Sequence, residues 1–244
     1  MVDATPGSLP LILTVPHDGD EPLGMMTSRA KGVSVRDEHT RETAERVARA
    51  LQERTGKRPY LVIAKFDRKY LDANRPESEA MESADALPAY RAYHDRIAAF
   101  VDELKTKFPE GALLVDVHGQ GTDANTTFRG TRAGLTTKRL VERFGEKAIQ
   151  GPDSIIGVLA AKGITVNPPV DAPSLSEHRG YTGGYTVFHY GSNNSAGIDA
   201  IQLELGSRQR TSERFAEDLA EALVSFMKSY GLMPKDEPRT RGPS

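Results

Sequence analysis

The sequence predicts a single α/β domain, in which one mostly parallel or mixed β-sheet is covered by helices on both faces. Its 244 residues suit one domain with a sizeable core. Short apolar runs alternate with segments of helical periodicity, the pattern of a sheet whose strands are connected by helices. No linker divides the chain. Residues 1–233 are therefore expected to form the domain, and the polar, proline-containing segment 234–244 is expected to be a flexible tail.

Four short apolar runs predict the buried strands of this sheet. Each is four to eight residues long and rich in valine, isoleucine and leucine, as strands buried on both faces are. The predicted strands are 9–15, 60–64, 112–117 and 198–205.

Four segments with apolar residues at helical spacing predict the helices. In the last of them, Phe215, Leu219, Leu223 and Phe226 recur every three or four residues, and Gly231 follows as a stop signal. Strands alternating with such helices indicate a parallel sheet covered on both faces. The predicted helices are 37–54, 88–108, 136–144 and 212–230.

Composition excludes several classes of function. The formal net charge is −2. The sequence therefore lacks the surplus of basic residues that would indicate nucleic acid or an acidic membrane surface as partner. Cysteine is absent, which excludes disulfides, thiolate metal sites and a cysteine nucleophile. The first residues lack a basic segment before their short apolar run. We expect a soluble, cytoplasmic protein.

Polar residues stand at the ends of three predicted strands. His17 and His118 each follow a strand and precede a glycine, and Glu204 interrupts the last apolar run. In α/β sheets, ligands bind beyond the carboxyl ends of the strands. Two imidazoles and a carboxylate with an open fourth position form a catalytic zinc site, although manganese or iron accepts a similar set. The alternative is that the histidines are ordinary polar caps of strand ends.

The sequence alone does not decide which acidic residue would be the third ligand of this predicted site. Asp37 stands before a predicted helix and could equally be a helix-capping acid. Asp20 lies three residues after His17 and could equally be a turn residue. Asp116 precedes His118 by two residues, so both side chains point to the same face of a strand. Asp116 could therefore hold the imidazole of a metal-binding histidine, or be a satisfied buried acid.

The remaining candidates concern proton transfer and substrate binding. Glu204, a charge inside an apolar strand, suits a general base, although a salt bridge to an arginine is the alternative. Asn74 and Arg75 precede a proline, where Arg75 could bind a carboxylate or polarise a carbonyl, unless the segment is a surface turn. Further candidate anion-binding residues are Arg68, Arg129 and Arg132.

The glycine-rich segment 180–185 predicts a mobile lid, with a simple hairpin as the alternative. The chain contains no phosphate-binding glycine loop, dinucleotide-binding fingerprint or serine nucleophile elbow. These absences give no support to phosphate binding, dinucleotide binding or a serine nucleophile.

The motifs taken together resemble the N-formylglutamate amidohydrolase family, which is related in fold to the zinc carboxypeptidases. The resemblance spans about residues 10–230, and its motifs occur in the family's order. The matching stretches are VPHDG at 15–19, DEH at 37–39, LDANRP at 71–76, YH at 93–94, LLVDVHG at 113–119, GG at 183–184, HYG at 189–191 and QLEL at 202–205.

The resemblance implies a role for each matched residue. It implies one zinc ion bound by His17, Asp37 and His118, with Asp37 in preference to Asp20. By the same resemblance, Glu204 is the general acid and base. The Asn-Arg pair that binds the substrate carboxylate or carbonyl is Asn74 and Arg75.

The implied activity is hydrolysis of the amide bond of a small N-acyl amino acid. Carboxypeptidase-like or γ-glutamyl peptidase activity on short peptides is the alternative, and a non-catalytic binding protein on the same fold is a second one. Three positions depart from the family pattern near the expected substrate pocket: Gly119 in place of a frequent serine, Glu38 in place of an aromatic residue, and Thr182 in place of a lysine. Because these positions are expected near the substrate pocket, they bear on whether N-formylglutamate is the substrate more than on whether the protein is a hydrolase.

Overall fold

The computed structural model describes residues 1–24, 27–170 and 172–233. They contain one seven-stranded sheet with helices on both faces, which confirms the predicted α/β class. The predicted tail 234–244 lies outside the described residues. Among the residues described, no helix is both long enough and apolar enough to cross a membrane.

The sheet is mixed, with a parallel centre. Its order is β1-β3-β2-β4-β7-β5-β6, and the neighbours β3, β2, β4 and β7 all run parallel. The edge strand β1 is antiparallel to β3, and β5 is antiparallel to β7 and parallel to β6. The strands are β1 (Val2–Thr5), β2 (Leu11–Val15), β3 (Tyr60–Ala64), β4 (Leu113–Gly119), β5 (Thr126–Gly130), β6 (Thr165–Asn167) and β7 (Asp199–Leu205).

The four predicted strands correspond to the parallel centre, whereas β1, β5 and β6 escaped prediction. The missed strands are short and carry polar residues, so they lack the continuous apolar run by which a central strand is recognised in a sequence.

The predicted helices correspond to α1, α3, α4 and α9, with ends shifted by up to three residues. A 3₁₀ turn at Leu135–Thr137 replaces the first residues of the predicted helix 136–144. The other helices span four to seven residues, too short for a helical period to be evident. The helices are α1 (Thr40–Thr55), α2 (Glu77–Ala80), α3 (Leu87–Lys107), α4 (Lys138–Phe144), α5 (Lys147–Gln150), α6 (Ile155–Ala161), α7 (Tyr185–Tyr190), α8 (Ser207–Arg210) and α9 (Glu213–Ser229).

Two apolar clusters cover the sheet and determine where its polar side chains point. Helices α1 and α9 pack on one face, and α3 packs on the other. In β4, Leu113, Val115 and Val117 join the first cluster, whereas Leu114 joins the second. Side chains alternate along a strand, so the even-numbered Asp116 and His118 project to the α3 face.

Candidate metal centre and active site

A cavity of about 540 Å³ opens at the carboxyl ends of β2, β4 and β7. It is lined by His17, His118 and Glu204, the three strand-end residues that the sequence singles out, and by Asp37 and Asn74. The volume lies within the range of ordinary small-molecule sites, about 300–1,000 Å³. The parallel centre of the sheet therefore brings the candidate residues together, as expected for this class of sheet.

His17, Asp37 and His118 form a compact buried cluster. The two Nδ1 atoms lie 3.1 Å apart. Oδ2 of Asp37 lies 3.3 Å from Nδ1 of His17 and 3.3 Å from Nδ1 of His118. The three atoms thus form a nearly equilateral triangle of possible metal ligands.

The far nitrogen of each imidazole contacts a buried carboxylate. Nε2 of His17 lies 2.6 Å from Asp72, and Nε2 of His118 lies 2.8 Å from Asp116. A carboxylate accepts, so each Nε2 is placed to donate its proton to the aspartate, and Nδ1 of each ring is the nitrogen that faces the cluster. The expected contact of Asp116 with His118 is therefore present. Asp72 was not singled out by the sequence, although it precedes Asn74 in a matched stretch.

The donor set fits a divalent cation. With bonds of about 2.0–2.1 Å, a tetrahedral zinc ion needs ligand atoms about 3.3–3.4 Å apart. The triangle edges of 3.1–3.3 Å come close to that spacing. Loss of the Nδ1 protons would leave two lone pairs and a carboxylate facing the centre of the triangle, where a cation would bind, and carboxylates behind the histidines are the usual support of such ligands.

Asp37 is held for this position by contacts on both oxygens. Oδ2 accepts from the backbone N–H of Gly119 at 3.1 Å, and Oδ1 accepts from Arg68 at 3.2 Å. Burial alone would raise the pKa of Asp37, but hydrogen bonds from His118 and His17 outweigh it and hold the pKa well below its usual range.

The contacts of Asp18 and Asp20 bear on the alternatives that the sequence left open for the acidic ligand. Asp18, not Asp37, accepts from the backbone N–H of Arg41 at the start of α1, so Asp37 is not the capping acid of that helix. Asp20 lies outside the cluster and pairs with Arg36 at 3.0 Å.

Glu204 lies beside the cluster in the neighbouring strand. It stands opposite His118 in the β4–β7 pairing, and its Oε1 accepts from Nε2 of Gln202 at 2.8 Å. Within the described part of the chain it forms no salt bridge, the alternative role considered for it. Burial raises the pKa of Glu204 to about 7, against the opposing influence of His118. A carboxyl with such a pKa exchanges protons readily near neutral pH.

Asn74 and Arg75 line the cavity, in a turn whose Asn74 is buried and not at the surface. Oδ1 of Asn74 accepts from the backbone N–H of Thr186 at 2.8 Å, so its amide nitrogen faces His118. Arg75 donates to the carbonyl of Asn74 and pairs with no carboxylate among the described residues. Arg68 also lines the cavity, but it pairs with Asp37 and Asp72.

Arg129 and Arg132 do not line this cavity, in contrast to their expected role as anion-binding residues. Arg129 is fully buried against the carboxylate of Glu177 at 3.1 Å. Arg132 stacks over Phe188 and donates to the carbonyl of Gly183. Both guanidinium groups are therefore engaged in local structure.

The glycine-rich segment crosses the cavity wall. Residues 180–184 line it and lead into α7, so the segment is not a hairpin. Gly184 must be a glycine here because a Cβ would lie 2.2 Å from Nδ2 of Asn74. The cavity-lining residues that the sequence did not indicate include Arg36, Gln202 and Arg210.

Comparison with solved structures shows which known fold this is. A crystal structure of N-formylglutamate amidohydrolase from Ralstonia eutropha superposes with a TM-score of 0.58 and 17% identity, covering 94% of this chain and 97% of that one. A gene product from Agrobacterium tumefaciens gives a TM-score of 0.58 and 16% identity, with 94% and 92% covered. No protein-family model and no curated protein sequence matches the chain. The fold is therefore that of the N-formylglutamate amidohydrolase structure, as the sequence motifs led us to expect.

Proposed function

We propose that this protein is a metal-dependent amidohydrolase that cleaves the amide bond of a small N-acyl amino acid. The observation that carries the proposal is the triangle of His17, Asp37 and His118, each imidazole backed by a carboxylate, beside the buried acid Glu204. The shared fold with an N-formylglutamate amidohydrolase supports the proposal.

His17, Asp37 and His118 are the residues that would hold the metal. The bound ion would supply an activated water and polarise the scissile carbonyl. Zinc is our first choice, because two imidazoles and one carboxylate are the protein ligands of many catalytic zinc sites, although other divalent metals accept this set.

Glu204 is assigned the proton transfers. Its carboxylate takes a proton from the attacking water and then gives it to the leaving nitrogen, so that it ends each turnover unchanged. A pKa raised by burial to about 7 lets one group perform both steps at neutral pH.

Substrate binding is assigned to Asn74 and Arg75. The guanidinium of Arg75, with no described carboxylate as partner, is available to bind the carboxylate of an N-acyl amino acid. Asn74 lines the cavity beside the ring of His118, and its amide nitrogen is assigned as the donor to the substrate carbonyl.

Peptidase activity on short peptides is the second candidate. It would use the same residues, and a cavity of about 540 Å³ leaves room for more than the smallest acyl group. A panel of N-formyl, N-acetyl and longer N-acyl amino acids, tested beside dipeptides and γ-glutamyl dipeptides, separates the two.

The deciding experiment measures metal content and hydrolysis in the same preparations. We expect about one zinc per chain after loading, hydrolysis of at least one N-acyl amino acid, and loss of hydrolysis on removal of the metal with a chelator. A protein that takes up zinc and hydrolyses no member of the panel would be a binding protein, and one that takes up no metal would contradict the proposal.

A further inference from the structure

The guanidinium of Arg210 lies at the wall of the same cavity and bonds to three backbone carbonyls. Nε donates to the carbonyl of Glu38 at 2.7 Å. Nη1 donates to the carbonyls of Leu205 at 2.6 Å and Gln120 at 3.2 Å. Arg210 forms no ion pair with a carboxylate in the described ranges, so its role here is not charge neutralisation.

The three carbonyls belong to three of the segments that deliver the candidate site, those of Asp37, His118 and Glu204. Glu38 directly follows Asp37, Leu205 directly follows Glu204, and Gln120 is two residues after His118. We infer that Arg210 is a positioning residue that fixes these segments relative to one another. The inference rests on the proposed function insofar as Asp37, His118 and Glu204 are taken to be the working groups.

The chemistry of arginine suits this task. Its planar guanidinium presents N–H groups in fixed directions, so that carbonyls bound by one group are held in a defined arrangement. The main chain of Arg210 is itself anchored to α1, because its carbonyl accepts from Oγ1 of Thr43 at 2.9 Å and from Nη1 of Arg46 at 3.2 Å. The guanidinium therefore connects the segment that precedes α1 with the carboxyl ends of β4 and β7.

Gly119 is the residue that makes room for this guanidinium. A Cβ at position 119 would lie 2.6 Å from Nη1, 2.8 Å from Cζ and 3.0 Å from Nε of Arg210. Any larger residue would displace the guanidinium from the end of β4. Gly119 and Arg210 thus form a matched pair, because the guanidinium occupies the space that a side chain at position 119 would need.

Zinc affinity and backbone protection together test this role. We would compare wild type, Arg210→Ala, Arg210→Lys and Gly119→Ala, with Arg139→Ala as the matched control. Arg139 also binds two backbone carbonyls, those of Gly197 and Ser195 at 2.8 Å each, but does not line the cavity. Zinc affinity would be measured by competition with a chromophoric chelator, and hydrogen exchange on the metal-free proteins.

We expect Arg210→Ala to weaken zinc binding about 10- to 100-fold, the effect typical of losing a residue that orients a metal ligand. Hydrogen exchange should accelerate together in segments 36–40, 118–122 and 203–207. The zinc affinity and exchange rates of Arg210→Lys should fall between those of Arg210→Ala and wild type, because lysine keeps the positive charge but lacks the planar set of N–H groups. Gly119→Ala should resemble Arg210→Ala, and Arg139→Ala should leave zinc affinity unchanged.

The inference is overturned if folded Arg210→Ala keeps both wild-type zinc affinity and wild-type exchange in those segments. If Arg210→Ala does not fold, Arg210→Lys and Gly119→Ala decide by the same two measurements. If wild type binds no zinc, the proposed function fails, and exchange in the metal-free proteins still decides the role of Arg210.

Discussion

His118 and His94 are both buried, with 2% and 9% of their surface exposed, yet their surroundings give them opposite properties. Nε2 of His118 contacts the carboxylate of Asp116, whereas Nε2 of His94 lies 3.0 Å from the neutral carbonyl of Ala73. Burial lowers the pKa of His94 to about 4. Burial also acts to lower the pKa of His118, but Asp116 and Asp37 outweigh it and raise the pKa well above its usual value. Carboxylate partners, and not burial, therefore distinguish a candidate metal ligand from a structural histidine.

The largest effect expected from this contrast is on metal content. His118→Ala should lose the zinc ion, because it removes one of three protein ligands, whereas His94→Gln should keep about one zinc per chain. Elemental analysis of both variants, purified and loaded alike, checks this. Equal zinc content in the two variants would mean that the cluster is not the metal site.

The next largest effect concerns the acid beside the cluster. Glu204→Gln removes a proton acceptor and keeps the size of the side chain, so hydrolysis should fall about 10²- to 10⁴-fold while zinc is retained. In wild type, kcat/KM should rise with pH as Glu204 loses its proton, with a midpoint at or below pH 7, because a bound cation lowers the pKa of a nearby carboxyl. Full activity of zinc-loaded Glu204→Gln would exclude this role.

A smaller effect on zinc affinity is expected from the carboxylates that contact the two histidine ligands. Asp116→Asn and Asp72→Asn replace charged partners of His118 and His17 by neutral ones of the same shape, and each should weaken zinc affinity about 10- to 100-fold. Asp199→Asn is a suitable control, because Asp199 is buried and hydrogen-bonded to Ser192 at the other end of β7. An unchanged affinity in both site variants would show that the carboxylates only satisfy the imidazole N–H groups.

How far the sequence leads can be judged from these same residues. His118, Asp116 and Glu204 were predictable because each interrupts a continuous apolar run, and a polar residue in a buried strand needs a reason. Asp37 followed from the resemblance alone, since local sequence left Asp20 equally possible. Asp72 was not distinguishable, because its partner His17 is 55 residues away and only the folded sheet brings them together.

The arginines illustrate the same limit. Arg129 was a further candidate for anion binding, with less support from its sequence context than Arg75, and its partner Glu177 comes from a distant segment without a recognisable motif. Arg210 escaped prediction because it binds backbone carbonyls, which every residue has and which no sequence pattern marks. The four parallel strands at the centre were likewise predictable from their own apolar residues, whereas β1, β5 and β6 carry polar residues and form strands by pairing with their neighbours in the sheet.

The smallest expected effect is on the pH dependence of stability, and it concerns His94, the structural histidine of the comparison. His94 is neutral in the folded protein, with a pKa near 4 against about 6.5 when unfolded, so the unfolded chain binds more protons between these values. Its contribution to stability is present above pH 6.5 and is lost as the pH falls toward 4. The slope is at most about 1.4 kcal/mol per pH unit.

His94→Gln should remove this part of the pH dependence, because glutamine does not titrate. Urea unfolding of the metal-free wild type and variant between pH 4 and 7 measures the difference. Parallel stability curves over that range would contradict a depressed pKa for His94.

The cluster also has a consequence for the order of events during folding. The contact between His17 and His118 joins residues 101 positions apart in the chain, across the parallel strands β2 and β4. Closing so long a loop costs entropy before the pairing repays it, which makes such contacts slow to form. An ion already bound to one histidine would hold the second as soon as the two strands meet. We expect zinc present during refolding to raise the yield of folded protein more than zinc added afterwards.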